Sequence, residues 1–323
     1  MKRLFYFVLL LVGVATVHSC KDLLDEDGNP LLDINTNTGL NGPRALYREI
    51  TDSDTLATYY YNGLQLSKVI TDSTSITDVA WSGDKISKID FRGFLDLDKN
   101  GKVEKDSTYF TQLLTYGSTG RLEKISEDRS VYHRLTTPPY SVTSPSPQML
   151  YRKIKTSYSL VYSATTGKLE SVKKISGPDI SGLPSFDNYS NIQFEYVGDN
   201  ISKITREYGP MTGGVNGAPT KKLGFAFTNY DVGISPFTLL PNAYKISRIL
   251  SSELFFADAV SPYIIDKKNA DGWILSPNSP TRISITDLTQ LVPTPVLYST
   301  DYRYDPQTYM TVGYGVNYIY KPL

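Results

Sequence analysis

Short apolar runs and short polar turns alternate along most of this chain, and five stretches share one internal order. They are "YYYNGLQLSKV" (Tyr59–Val69), "VAWSGDKISKI" (Val79–Ile89), "LLTYGSTGRLEKI" (Leu113–Ile125), "LVYSATTGKLESV" (Leu160–Val172) and "FEYVGDNISKI" (Phe194–Ile204). In each, an aromatic residue closes an apolar run and a polar turn follows, usually with Gly. A Leu or Ile comes next, and an Ile or Val three residues later. Gly, Asn and Asp accept positive φ, so two apolar runs separated by a few of them read as a β-hairpin. Phe194 and Tyr196 share one face of a pleated strand, because side chains alternate. The returning strand breaks that alternation, since Ile201 and Ile204 are three apart. The pattern therefore predicts Ile201 over the turn or beside a β-bulge, with Ile204 on the core face. Lys68, Lys88, Lys124 and Lys203 each precede the last apolar residue of a unit. They are expected to point outward and to discourage stray edge pairing.

The units are unevenly spaced, which excludes a strict solenoid and favours a meander with excursions. No segment after the leader keeps a helical i, i+3, i+4, i+7 stripe for three turns without Gly, Pro or a β-rich run. "KLGFAFTNYDV" reads as another strand entering a turn. "AYKISRI" repeats the Lys-Ile-Ser-Arg-Ile ending, and "PTRISIT" follows. A final hairpin runs from Val296 to Tyr304, turns at Asp305-Pro306-Gln307-Thr308, and returns from Tyr309 to Tyr320. Its return strand places Val312, Tyr314, Val316, Tyr318 and Tyr320 on one face. The predicted fold is all-β: a large curved antiparallel sheet, or open half-barrel, built from successive hairpins as a meander.

The N-terminus reads differently. Lys2 and Arg3 precede a 14-residue stretch, Leu4 to Val17, that is apolar apart from Gly13 and Thr16. It is short for a membrane span of ~30 Å and suits a secretory signal. Val17-His18-Ser19-Cys20 resembles a bacterial lipobox, with an aliphatic residue at −3, a small one at −1 and cysteine at +1; His18 at −2 departs from it. The resemblance implies that Cys20 is lipidated and anchors the protein to a membrane. Residues 21–52 begin acidic (Asp22, Asp25, Glu26, Asp27) and continue rich in Asn, Gly and Thr. The acidic run resembles the export signal of some Bacteroidota surface lipoproteins, and it equally suits a solvated linker. The expected domains are a signal peptide at 1–19, an acidic and polar tether at 20–52, and one β-hairpin-repeat domain at 53–323.

Composition narrows the function. Thirty-three basic residues balance 33 acidic ones, and no nucleic-acid partner is expected. The single cysteine rules out an internal disulfide or a cysteine metal cluster. With two histidines in all, His18 and His133, and one lost with the leader, a two-histidine mechanism is excluded. The 25 tyrosines suit strands.

The Tyr–turn–Gly-Arg-Leu-x-Lys-Ile order, clearest at Tyr116–Ile125, resembles a family of Bacteroidota lipoproteins of unknown function with a porin-like fold. It is also similar to the YD repeats of Rhs-type shells. The resemblance spans roughly residues 55–320 and implies a large, strongly curved antiparallel sheet with no assigned activity. A lipid-facing porin wall needs an apolar outward face. Here the alternate positions carry Lys, Ser, Thr, Glu and Asp.

Candidate chemistry is sparse. Asp96, Asp98, Asn100 and Gly101 match positions 1, 3, 5 and 6 of a calcium loop, the one cofactor considered. Position 12 is Ser107 rather than a bidentate Glu, so a tight Asn100-Gly101 hairpin turn is the competing reading. His133 stands alone beside a Pro-rich loop. Trp81, Tyr116, Tyr162 and Tyr196, with Tyr59, Tyr60 and Tyr61, line either the inner face of the sheet or an exposed groove suited to sugar or peptide. No catalytic residue is assigned. The expected function is a lipid-anchored outer-membrane module, facing periplasm or exterior, that binds or scaffolds a glycan, peptide or envelope protein. The alternative is a glycan hydrolase using paired carboxylates on the concave face.

Overall fold

A computed structural model describes residues 44–72, 74–95, 106–180, 182–251 and 271–322. Cys20 and the possible calcium ligands Asp96, Asp98 and Asn100 lie outside the described residues. The described chain forms one compact unit, Arg44–Lys321. Its strands are β1 (Arg44–Ile50), β2 (Thr55–Asn62), β3 (Gln65–Thr71), β4 (Ser75–Ser82), β5 (Lys85–Gly93), β6 (Ser107–Tyr116) and β7 (Leu122–His133). There follow β8 (Met149–Tyr162), β9 (Leu169–Ile180), β10 (Leu183–Pro184), β11 (Asn188–Val197), β12 (Asn200–Thr212), β13 (Val215–Asn216) and β14 (Lys221–Tyr230). After a long excursion come β15 (Pro280–Asp287), β16 (Pro295–Ser299), β17 (Arg303–Tyr304), β18 (Met310–Gly313) and β19 (Val316–Pro322).

Neighbouring strands pair antiparallel from β1 to β9 and on through β11, β12, β14, β15 and β16. β10 and β13 are short tips on β9 and β12. β17 pairs with β18 and β18 with β19, while β19 meets β1. The result is an open sheet of 19 strands made of successive hairpins.

The three-residue spacing of the returning strands has a local cause. Each of the five hairpins shifts register immediately before its aromatic residue. Glu195 faces Lys203 but Tyr196 faces Ile201, leaving Ser202 as the extra residue. Ser67, Ser87, Glu123 and Glu170 are the extra residues of the other four. A bulge inserts one residue without changing the face that follows. Leu66 with Val69, Ile86 with Ile89, and Ile201 with Ile204 are therefore all buried on the same side.

The aromatic residue then ties each hairpin to the previous one. Tyr61 Oη donates to the Leu46 carbonyl at 2.9 Å, and Trp81 Nε1 to Leu66 at 2.8 Å. Tyr116, Tyr162 and Tyr196 donate at 2.9 Å to Ile86, Leu122 and Leu169. Tyr230 continues the series onto the Ile201 carbonyl. On the outer face, ion pairs along one strand, Lys88–Asp90 (2.6 Å), and across strands, Lys155–Asp128 (2.5 Å) and Lys203–Glu195 (2.9 Å), point to water.

Three expectations are corrected. The sheet begins inside the segment expected to be a tether. Residues 44–50 form β1 because Ala45, Leu46 and Ile50 are buried and Arg44 pairs with Asp305. "AYKISRI" is a helix rather than a strand: α1 covers Asn242–Ser251. Pro241 opens it, and Lys245 N donates to the Pro241 carbonyl at 3.0 Å. Ala243, Ile246, Ile249 and Leu250 recur at helical spacing. Finally, Tyr309–Tyr320 is not one strand. Tyr314 (φ 51°) and Gly315 (φ 73°) make a two-residue turn between β18 and β19. Both residues are left-handed, as a type I′ hairpin turn requires.

The excursion between β14 and β15 fills the concave side. Phe237, Leu240, Tyr244, Ile246, Ile249, Leu250, Trp273 and Ile274 join one buried cluster with the inner faces of β2 to β15. A ten-residue helix is marginal alone, and this packing holds it.

Candidate functional site

The four aromatic residues singled out from the sequence form a series of struts. Their polar tips are spent on backbone carbonyls, and their rings pack half-buried against the core. Cations of the neighbouring hairpin cover the tyrosine rings: Lys85 over Tyr116 (5.4 Å), Arg121 over Tyr162 (5.6 Å) and Lys168 over Tyr196 (5.3 Å). Burial is the main cause that raises the hydroxyl pKa of Tyr162 and Tyr196 to about 12. These rings carry the wall and leave little free edge for a ligand.

Inside the wall, buried polar side chains hold α1 at two places. Tyr59 donates to Glu49, and Arg248 on α1 meets Glu49 at 2.9 Å and the Tyr59 hydroxyl at 2.8 Å. Farther round, Gln112 and Arg129 both contact Glu127 at 2.7 Å. Ser247 on α1 donates to Gln112 at 2.6 Å, and Arg129 reaches the Ser251 carbonyl. Glu49 and Glu127 are each matched by an arginine and bind the helix to the sheet. Burial raises the carboxyl of Asp231 above the usual carboxylate range, and both its oxygens are buried without a hydrogen-bond partner among the described residues. Among the described residues, no group of three His, Cys, Asp or Glu side chains is placed to hold a metal. His133 Nδ1 lies 2.5 Å from Asp106, half-exposed, with Tyr151 beside the ring.

An accessible concavity lies on the opposite, outer face. It is a cleft of about 500 Å³ over β9, β11 and β12. Lys173, Phe186, Tyr189, Asn191, Met211 and Asn216 line it. Glycine makes it possible. A Cβ on Gly209 would lie 2.5 Å from the Tyr189 ring, so only Gly lets that ring lie flat across β12. Tyr189 then donates to the Gly217 carbonyl at 3.0 Å and pins the β12–β13 tip over the face. Gly177 plays the same part on the other side, where a Cβ would meet the Ser185 carbonyl at 1.8 Å. The β9–β10 tip crosses there. Two folded-over tips thus form the walls. The sequence signal was Gly213-Gly214, whose positive φ values turn the β12–β13 tip. Neither that pair nor Phe186 was singled out from the sequence, since what they line depends on strands folding back.

No known family model matches the sequence, and no curated protein matches it. Among solved structures, a porin-like protein from Bacteroides vulgatus is similar at 10% identity and a TM-score of 0.44, covering 87% of this chain and 100% of that one. A porin-like protein from Bacteroides uniformis is similar at 12% identity and a TM-score of 0.21, covering 73% of this chain and 96% of the other.

Proposed function

We propose that the protein is a non-catalytic binding module of the outer membrane, tethered through lipid on Cys20, and that the outer-face cleft takes a glycan. The lipobox-like Val17–Cys20 and the acidic run after it support the anchor. The observation that carries the binding reading is the lining of the cleft. Phe186 offers a half-buried apolar ring, while Asn191, Asn216 and Lys173 offer donors around it. Sugars present an apolar face and a rim of hydroxyls, and this combination matches both. The glycan is preferred to a hydrolysable substrate because the buried acids Glu49, Glu127 and Asp287 are each bound to a cation, Arg248, Arg129 and Lys221.

The test is a glycan array probed with the full chain in detergent, followed by titration of the best sugar against Phe186→Ala and Asn191→Ala. Each variant is expected to weaken binding about tenfold, the effect of ~1.4 kcal/mol. A sugar bound equally well by both variants would place the site elsewhere. Silence across the array would remove the glycan reading.

A further inference from the structure

Charge on the outer face narrows the ligand of the cleft. We infer that the cleft takes an acidic glycan, a linear chain bearing carboxylates as a uronate polymer does, and that this chain runs across the strands from the cleft toward β7. The inference rests on the cleft being a glycan site. Strand register lays out one rung of the outer face. Lys124 on β7 stands opposite Ser159 on β8, Ser159 opposite Lys173 on β9, and Lys173 opposite Asn191 on β11. Their sequence neighbours Ile125, Leu160, Val172 and Ile192 are buried on the inner side, so all four point outward. Lys173 and Asn191 line the cleft, and Ser159 and Lys124 continue the rung beyond it. Adjacent strands lie about 4.8 Å apart, which sets the two lysines about 10 Å apart with Ser159 between them. Val161, 41% exposed, faces Ser171 one step along and offers an apolar surface beside the rung.

The lysines of this rung differ from their neighbours on the same face. Lys88, Lys155, Lys203 and Lys222 each meet an acid: Asp90, Asp128, Glu195 and Glu207. Lys124 and Lys173 are exposed and form no ion pair among the described residues. No carboxylate stands opposite or diagonal to either of them in the strand register. Glu123, beside Lys124 in sequence, is turned onto Gly117, where a Cβ would meet its Oε1 at 1.8 Å. Glu207, the next side chain along the rung after Asn191, is held by Lys222. No Asp or Glu lines the cleft among the described residues. Two unpaired cations in line make a local positive field. With a hydroxyl between them and an amide beside them, they suit a chain that carries carboxylates at intervals and hydroxyls between. An acidic peptide has the charge but lacks the sugar's apolar face and hydroxyl rim, which the Phe186 ring and the two Asn side chains of the cleft match.

The experiment is calorimetric titration of the full chain in detergent with tetrasaccharides of galacturonate and of mannuronate, each as free acid and as methyl ester. The ester keeps the sugar backbone and removes its charge. At least one acid is expected to bind about tenfold more tightly than its ester, the effect of two solvent-screened ion pairs, and to lose that margin in ~0.5 M salt. Lys124→Met and Lys173→Met are each expected to lower the acid-to-ester ratio about threefold. Lys153→Met makes the same charge change on the same face, away from the rung, and is expected to leave the ratio at its wild-type value. Poly-glutamate serves as the charge control and is expected to bind more weakly than the acid. Equal binding of acid and ester, no binding of either acid, a ratio that falls as far in Lys153→Met, or poly-glutamate binding as tightly as the better acid would overturn the inference. Phe186→Ala keeps its failure apart from that of the glycan reading. If this variant weakens an ester that binds as well as its acid, the cleft remains a glycan site and only the acidic class falls. If it leaves the binding of the acid unchanged, the cleft reading falls and this inference with it. The comparison of acid with ester on the wild-type chain stands whether or not the substituted chains fold.

Discussion

At the scale of single residues, the tyrosine hydroxyls and one lysine decide most. Tyr162 donates to the Leu122 carbonyl of the preceding hairpin, a half-buried bond of 2.9 Å. Tyr162→Phe leaves that acceptor short of a partner and is expected to cost about 1 kcal/mol. Urea denaturation reads this as a lower midpoint with an unchanged m-value. A ligand-facing tyrosine would instead lose affinity at constant stability. Lys245 makes a second case. Burial lowers its pKa from 10.5 to about 8, so the folded state sheds this proton earlier than the unfolded chain. Between those values the unfolded chain binds more proton, and stability rises with pH. Below pH 8 the penalty is present in full. Wild type is therefore expected to gain about 2 kcal/mol over Lys245→Met between pH 8 and pH 10. Above pH 10 the trend reverses. Burial holds Tyr162, Tyr196 and Tyr314 near 12, so the unfolded chain loses those protons first. A flat difference between the two chains from pH 8 to 10 would show that Lys245 is neutralised by a charge partner.

At the scale of elements, the bulge explains why one local word has two meanings. Strict alternation would put Ile86 and Ile89 on opposite faces, and one of them would then be cheap to truncate. The bulge at Ser87 puts both in the core, at 1% and 0% exposure. Ile86→Ala and Ile89→Ala are each expected to cost about 3 kcal/mol, while Ser87→Ala costs under ~1 kcal/mol. Chemical denaturation of the three variants tests this, and an inexpensive Ile86→Ala would remove the bulge reading. The hairpins were legible because aromatic, turn and Leu or Ile recur in fixed order. Their bulges were legible because Ile201 and Ile204 cannot share a face otherwise. The same three-residue spacing hid α1. Ile246-Ser247-Arg248-Ile249 differs little from Ile86-Ser87-Lys88-Ile89, and only packing inside the wall makes one a helix. Tyr314-Gly315 was hidden for another reason: a Tyr with positive φ is uncommon, and the apolar alternation runs straight through the turn. The buried networks were illegible because their members, such as Gln112 and Ser247, lie 135 residues apart.

At the scale of the molecule, a series of hairpins pairing only with neighbours has one long-range problem, which is to bring its two ends together. β1 meets β19 there, and Arg44 supplies the polar contact. Its guanidinium pairs with Asp305, reaches Gln307 Oε1 at 3.0 Å and lies 5.0 Å over the Tyr309 ring. Both charged side chains are buried, at 3% and 9% exposure. Asp305 also orders the turn itself, accepting from the backbone of Gln307 (2.9 Å) and Tyr309 (3.0 Å). Asp305→Ala removes one partner of a buried pair and the turn bonds together, and is expected to destabilise by about 3 kcal/mol. Glu195→Ala, which opens the exposed pair with Lys203, is expected to stay within ~0.5 kcal/mol. Hydrogen exchange locates the difference. If β1, β18 and β19 close the series as a unit, their amides exchange faster in Asp305→Ala while β6 to β9 keep wild-type protection. Uniform acceleration across all strands would mean that the sheet opens only as a whole. The Arg44–Asp305 contact would then contribute to global stability without acting as a local clasp.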